Sequence, residues 1–508
     1  MTAVKSSPGQ TATPPRKQWS TKAVGLVGGI AIAIIIMVLP MQGWGLERPG
    51  QICLALTLMT VVFWATNVAH NGYVSALYLA LLVVFEVAGP LFPGVDETTG
   101  AVIPSGSSVV FGAWMTPTIW LVIGAYFIAG AVKASGLGER IAYAFLLRYV
   151  SSYRSIIVSI YVLTFILSLL IPHPWPRAFL IMSVMAVVIT SAKIPREDAV
   201  KIGFTVFCAS VPVSLIFLTG DAVINPLAIA SASNAATAAG YSGPVAMGWI
   251  GWFIHMGPPA IVVSVLTCLM NLWLFKPSQE VVVPREEIHA KLKGLGKMTE
   301  TEIRTVVWLS IAVVLWMTDF LHGIPLGIVT IAVAALMAFP YIGEVLKPGD
   351  WGGIPLQVLV FLTAAISIGT VGGVSGMNSW IATTLLPDSA PRNLFILAAI
   401  VTVIAIVIHM LLGSVIAVMG VAVPAIVAFT APAGLNPLVP TLIVYMAIAA
   451  HYILPFQHLN MLVGASPDTG GFTQRETIRM GLPLTAVMFL ITMGVMVPWF
   501  MLTGLAGA

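Results

Sequence analysis

Long apolar runs separated by short polar stretches make up most of the chain. They fall at about 24–40, 51–70, 74–91, 108–133, 155–192, 199–219, 247–275, 305–322, 325–341, 355–371, 393–430, 438–455 and 478–504. A helix needs roughly 20 such residues to cross the hydrocarbon of a bilayer. Runs 155–192 and 393–430 are nearly twice that length, and each breaks near its midpoint. The first break is Ile171-Pro172-His173-Pro174-Trp175-Pro176-Arg177 and the second is Leu412-Gly413-Ser414. Clustered prolines end a helix, because each removes an amide donor and crowds the preceding turn. Each run therefore either crosses twice or turns back as a re-entrant hairpin, and arms of roughly 16 residues favour the hairpin. Two more runs carry polar interruptions, Leu218-Thr219-Gly220-Asp221-Ala222-Val223-Ile224-Asn225-Pro226 and Pro455-Phe456-Gln457-His458-Leu459-Asn460. These predict broken helices over 199–240 and 438–466.

The pattern repeats. Ser135-Gly136-Leu137-Gly138 before Ile141-Ala142 matches Ser375-Gly376-Met377-Asn378 before Ile381-Ala382, and the two lie 240 residues apart. The same offset carries the first hairpin break onto the second. Two copies related in this way, with an odd number of crossings between them, face opposite ways in the membrane. Inverted repeats with interrupted helices are the mark of secondary transporters, whose sites lie near the midplane at the interruptions. The chain divides into a polar tail (1–23), a first helix (24–48), repeat 1 (49–275), a linker (276–304) and repeat 2 (305–508). The linker's mixed charge reads as that of a solvated connector.

Charge placement sets the orientation. With 155–192 as a hairpin, Arg140, Arg148, Arg154, Lys193, Arg196 and Lys201 share one side with the basic tail (Lys5, Arg16, Lys17, Lys22). The linker's lysines, Lys347, Arg475 and Arg479 join them, whereas Arg48, Arg392, Asp96 and Glu97 face the other side. The crowded side is cytoplasmic by the positive-inside rule. The amino terminus is then cytoplasmic and the carboxyl terminus outside, in a bacterial inner membrane. Two tandem crossings would also return the flanks to one side.

Composition removes other classes. The 508 residues are 58% hydrophobic and 8% charged, with a mean hydropathy of +1.00. Soluble proteins average about 25% charged residues, so a soluble enzyme and a disordered chain are both excluded. Forty-six Gly and 34 Pro are tolerated where neighbouring helices re-satisfy the backbone. Cys53, Cys208 and Cys268 form neither a disulfide framework nor a metal-spaced pair. Phosphate-loop, zinc and hydrolase motifs are missing, so neither an enzyme nor a pump is expected. The implied partners are lipid and a small anion, not nucleic acid.

Polar side chains at membrane depth are costly and mark function. Arg177 offers a planar fork suited to a carboxylate or sulfonate, beside the exposed amides of a helix start. Its competing role is a structural pair with Asp221. His173 and Trp175 flank it; the competing role, and the stronger one for the indole, is packing of the tip against the scaffold. Asn225, Gly413, Ser414, His458 and Asn460 complete the expected substrate set. Thr219, Asp221 and Gln457 are the candidates for a coupling ion, sodium or a proton; no other cofactor is expected. Glu86, Asp319, His322 and Lys133 read as interfacial.

The stretch Trp114-Met115-Thr116-Pro117-Thr118-Ile119-Trp120 through Tyr126, leading into Ser135-Gly136-Leu137-Gly138-Glu139-Arg140, resembles the divalent anion–sodium symporter (DASS) family. So do Asp350-Trp351-Gly352-Gly353-Ile354-Pro355 through Phe361, and Gly471-Phe472-Thr473 through Pro483. The likeness runs over about 50–504. It implies an all-α polytopic membrane protein with about eleven transmembrane helices and two re-entrant hairpins, working as a homodimeric elevator. Such proteins carry dicarboxylates, tricarboxylates or sulfate, often with sodium. The family's Ser-Asn-Thr at each tip is replaced here by His173-Pro174-Trp175 and by Gly413-Ser414-Val415. Arg177 matches an arginine of a plastid-like branch that exchanges dicarboxylates. The resemblance thus implies a secondary transporter of small organic anions, coupled to sodium, to protons at Asp221 or His173, or to anion exchange. An anion channel or a non-cycling sensor is the alternative.

Overall fold

The computed structural model of the chain describes residues 20–95, 100–385, 389–454 and 457–507. Most of the polar tail, Asp96 and Glu97, and Pro455 and Phe456 of the second interruption lie outside the described residues.

The chain opens with α1 (Thr21–Val38), α2 (Arg48–Ala65) and α3 (Asn71–Val84). Two strands of two residues, β1 (Gly94–Val95) and β2 (Val102–Ile103), pair antiparallel and are the only sheet among the described residues. Then come α4 (Gly106–Val110), α5 (Pro117–Ser135), α6 (Leu137–Tyr149), α7 (Tyr153–Ser168), α8 (Pro174–Ser191), α9 (Arg196–Ser214), α10 (Ile224–Ala238) and α11 (Trp249–Leu274). A connecting helix, α12 (Arg285–Gly294), leads to α13 (Glu300–Met317), α14 (Asp319–His322), α15 (Leu326–Leu336), α16 (Leu356–Val374) and α17 (Met377–Leu385). The chain ends with α18 (Leu394–Leu412), α19 (Val415–Thr430), α20 (Leu438–Ala449), α21 (Leu459–Gly464), α22 (Gln474–Ile491) and α23 (Val497–Leu502). By length and composition, nine helices among the described residues can cross a membrane, and α3, α7, α15 and α20 are shorter apolar helices. The fold is that of an all-α polytopic membrane protein.

Local chemistry explains where the long runs divide. α7 ends at Ser168, and Pro172 lies in the turn. Pro174 and Pro176, however, sit in the first turn of α8. There the amides have no intrahelical partner, so a proline costs little and presets the helical φ. Two of the three prolines thus start a helix rather than stop one. At the second tip Gly413 takes φ +60°, closing α18 before Ser414 caps α19.

The repeat is carried in the backbone. Gly136 and Gly376 both adopt left-handed φ, +78° and +80°, where the chain turns into α6 and α17. The halves exchange partners: α15 of the second packs along α5 of the first, and α3 of the first along α16 of the second. Gly327 makes the α5–α15 crossing close, since a Cβ there would sit 1.9 Å from the Pro117 carbonyl oxygen. Without a hydrophobic drive inside lipid, such close backbone packing is what holds helices together.

The linker differs from the solvated connector expected of it. Arg140 on α6 grips Glu302 through Nε (2.7 Å) and Nη2 (3.0 Å) and donates to the Gly296 and Leu295 carbonyls. Ser278 donates to the buried Asp198 through its amide and hydroxyl, and Ile288 is buried. The charge tally hid one apolar face, Ile288, Leu292 and Leu295, which docks α12 on α6 and α8.

Candidate functional site

The two tips and two interruptions meet. Residues 173–175, Asp221, Val223, Ile224, 412–416 and 457–460 line one cavity of about 120 Å³, lined on the other side by Trp64, Asn67, Asn71, Tyr126, Val358 and Phe361. Of the expected residues, His173, Trp175, Asp221, Gly413, Ser414, Gln457, His458 and Asn460 line it. Arg177, Asn225 and Thr219 do not; they lie behind its wall.

Each helix that starts at the cavity brings its own cap. His173 precedes α8, and its Nδ1 accepts from the Trp175 amide at 3.2 Å. Ser414 precedes α19 and accepts from the Ala417 amide at 3.4 Å. His458 precedes α21, with Nδ1 accepting from the Asn460 amide at 3.2 Å. Asp221 precedes α10, and its Oδ1 accepts from the Val223 and Ile224 amides at 3.0 and 3.2 Å. Helix starts expose amide donors and the positive end of the helix dipole, which is the environment an anion seeks.

The caps fix the imidazole tautomers. A ring nitrogen that accepts from a backbone amide carries no proton, so in the neutral ring Nε2 holds it. His173 Nε2 lies 3.0 Å from the Tyr126 hydroxyl and donates to it. The Tyr126 hydroxyl hydrogen is then left for the cavity. His458 likewise turns an Nε2–H donor towards the space it lines. Asn71 Oδ1 and Asn460 Oδ1 are buried without a partner among the described residues, while Asn460 Nδ2 donates to Ser210 Oγ at 3.0 Å.

The residues behind the wall hold the breaks open. Arg177 is fully buried. Its Nη1 donates to the Ile171 carbonyl at 3.1 Å and the Gly220 carbonyl at 3.2 Å, tying the tip to the interruption. Its Nε and Nη2 have no partner among the described residues. No Arg177–Asp221 ion pair occurs among the described residues. Asn225 Nδ2 donates to the Ser214, Phe217 and Leu218 carbonyls, and its Oδ1 accepts from Tyr445 at 2.5 Å. Thr219 Oγ1 accepts from the Trp249 indole at 3.0 Å. Gln457 Oε1 accepts from the Ile453 and Leu454 amides, both at 2.7 Å.

Sequence reasoning missed the scaffold wall. Tyr126 sits inside an unbroken apolar helix, with nothing to distinguish it from packing. Asn67 and Asn71 fall in a short polar gap between two apolar runs, which reads as an ordinary loop. Asn67's left-handed backbone, φ +49°, is the one local oddity there, and it is invisible in the sequence.

A helical membrane bundle whose helix starts converge on a cavity with polar groups at its tips has the architecture of a transport protein, and comparison with known proteins agrees. The profile described as "Sodium:sulfate symporter transmembrane region" matches residues 20–505, and the chain belongs to that family. It is an integral membrane protein of an anion-transporter family, not an enzyme. A "Membrane protein" of Cupriavidus necator is 24% identical over 91% of this chain and 89% of its own length. The "Putative malate transporter YflS" of Bacillus subtilis is 25% identical over 73% of each chain. "Dicarboxylate transporter 1, chloroplastic" of Arabidopsis thaliana is 24% identical over 76% of this chain and 66% of its own. Among solved structures, the Alcanivorax borkumensis YdaH transporter shares the fold, with a TM-score of 0.51 and 14% identity over 90% of this chain and 99% of that one.

Proposed function

We propose that the protein is a secondary active transporter of small organic dianions, four-carbon dicarboxylates or related sulfonates, working by elevator-type alternating access. The observation that carries this reading is the convergence of helix starts from both halves on one cavity. The relatives named for malate and dicarboxylates support carboxylates as the cargo. On this reading one substrate carboxylate meets Ser414 and the first amides of α19. The other meets the His458 Nε2–H, the Tyr126 hydroxyl and the start of α8. Trp175 walls one side, and Gly413 leaves room for the anion to approach the tip. Arg177 contributes its charge through the wall, and Asn225 acts as a clamp rather than a ligand.

On this reading the coupling ion is a proton. Sodium needs several oxygen ligands, and at the first tip and interruption the carbonyls of Ile171, Ser214, Phe217, Leu218 and Gly220 accept from Arg177 or Asn225, donors that compete with sodium for these oxygens. Among the described residues Asp221 is the only acid lining the cavity, and its Oδ2 carries no hydrogen bond there. It takes a proton as the anion arrives.

The arms α7–α8 and α18–α19 serve as re-entrant hairpins. The hairpins and broken helices then move as a body against a scaffold holding Tyr126, Trp64 and Phe361, dimerised with a second copy. Eleven remaining crossings put the amino terminus in the cytoplasm and the carboxyl terminus outside, in a bacterial inner membrane. Proteoliposomes loaded with unlabelled succinate test the core of this reading. Saturable uptake of labelled succinate, accelerated by internal succinate, is expected. Uptake without counterflow means a channel, and preference for sulfate over every dicarboxylate sinks the substrate assignment.

A further inference from the structure

Behind the second tip lies a buried pair of histidines outside the cavity lining. His409 is in the last turn of α18, and His451 lies just beyond α20. Their Nδ1 atoms are 2.9 Å apart, and His409 Nε2 is 2.9 Å from the Gln457 carbonyl oxygen. A carbonyl only accepts, so His409 Nε2 donates. In the neutral ring its Nδ1 then accepts, His451 Nδ1 donates, and the lone pair of the His451 ring falls on Nε2. That atom is buried and has no partner among the described residues. The pair therefore ends on a free basic nitrogen.

We infer that the His409–His451 pair is a second proton site, on which a proton from bulk water binds together with the anion. The inference rests on the dianion reading above. Three observations carry it. Both rings stand at helix C-termini, where the dipole and the unpaired carbonyls favour a cation. The pair connects through one carbonyl to Gln457, whose neighbours His458, Leu459 and Asn460 line the cavity. Finally, no described acid faces it. The packed segments α10, α19 and 492–502 carry no titratable group, α20 carries only Tyr445, α2 carries Cys53 and Arg48, and α22, packed on α20, carries Arg475, Glu476 and Arg479 near its start, where the Glu476 carboxylate accepts from Thr473. On its own loop the pair meets Tyr452 and His458. A buried charge needs a counter-charge, and the arriving dianion is the one within reach. The first half answers the same need permanently: Arg177 links hairpin to interruption through the Gly220 carbonyl, as His409 does through that of Gln457. One half holds a fixed cation and the other a reversible one.

By linkage, a proton that favours the anion must itself be favoured by it. Calorimetric titration of succinate into the purified protein, in buffers of different ionisation enthalpy, counts the protons taken up. Expected for the wild type is tighter binding at pH 6 than at pH 8, by roughly tenfold for each coupled proton per pH unit over which it titrates. His451→Asn retains a donor near the position of Nδ1 but has no basic nitrogen. His409→Gln retains the donor to Gln457. His451→Asn should take up about one proton fewer than wild type while binding succinate at pH 8 as wild type does, whereas His409→Gln, which keeps His451 Nε2, should keep that proton. Uptake equal to wild type in a His451→Asn variant that keeps its thermal unfolding temperature overturns the inference and leaves the dianion reading intact. Failure of the wild type to bind any dicarboxylate or sulfate overturns both.

Discussion

The Tyr126 hydroxyl and His173 Nε2 are 3.0 Å apart, and the direction of that bond follows from a second one. Because the Trp175 amide already occupies His173 Nδ1, the imidazole donates and the phenol accepts. A scaffold side chain is thereby oriented by a hairpin side chain, with its own hydrogen turned towards the anion. Tyr126→Phe removes that donor and leaves the His173 proton unpaired. Hydrogen bonds to charged groups contribute about 1.5–3 kcal/mol, so KM for succinate should rise at least about tenfold. Uptake kinetics in proteoliposomes would show it; an unchanged KM removes Tyr126 from the clasp.

Arg177→Ala leaves the Ile171 and Gly220 carbonyls without their donor and opens a void at the tip. Each unpaired buried group costs about 1–3 kcal/mol. The variant should unfold at a lower temperature and lose uptake, whereas Arg177→Lys should recover part of both. Thermal unfolding in detergent, read beside uptake, separates the hairpin brace from direct substrate contact. Full stability with lost uptake would mean that the guanidinium reaches the substrate after all.

Replacing sodium by choline at fixed pH should leave the rate of succinate uptake unchanged. Arg177 and Asn225 compete with sodium for the Gly220 and Leu218 carbonyls of the first interruption. A strict sodium requirement would place the ion where the carbonyls are still free and would overturn the proton assignment.

Gly327→Ala sets a methyl group against the Pro117 carbonyl oxygen at the α5–α15 crossing. Relieving that overlap means moving helices that join the two halves, at a cost of about 1–3 kcal/mol. The unfolding temperature should fall while the succinate Kd of the folded fraction stays put, because neither residue touches the cavity. Unchanged stability would mean that the crossing has room for a methyl group.

Much of the framework was legible because helix breaking is local chemistry. Pro172, Gly413 and the Asp221 interruption each announce themselves within a few residues, and a single offset ties the tips together. The site was legible only on the hairpin side. Which way a tip residue faces depends on the partner helix, so Arg177 and Asn225 could be placed at the breaks but not on either side of the wall. Tyr126 and Asn71 come from elements without a break, and their role exists only once α5 and the α2–α3 loop are brought against the tips. The docked linker was misread for a related reason. Net charge describes a segment's solvent side and says nothing of the one helical face holding Ile288.

The exchange of α3 and α15 between the halves has a consequence for biogenesis. As the chain leaves the ribosome, α5 enters the bilayer long before the helix that fills its groove has been translated. The translocon must release a half-finished first copy and let it wait, its small-residue face bare to lipid, until the second copy arrives. Severing the chain between the copies should give fragments that are degraded singly and rescued by co-expression.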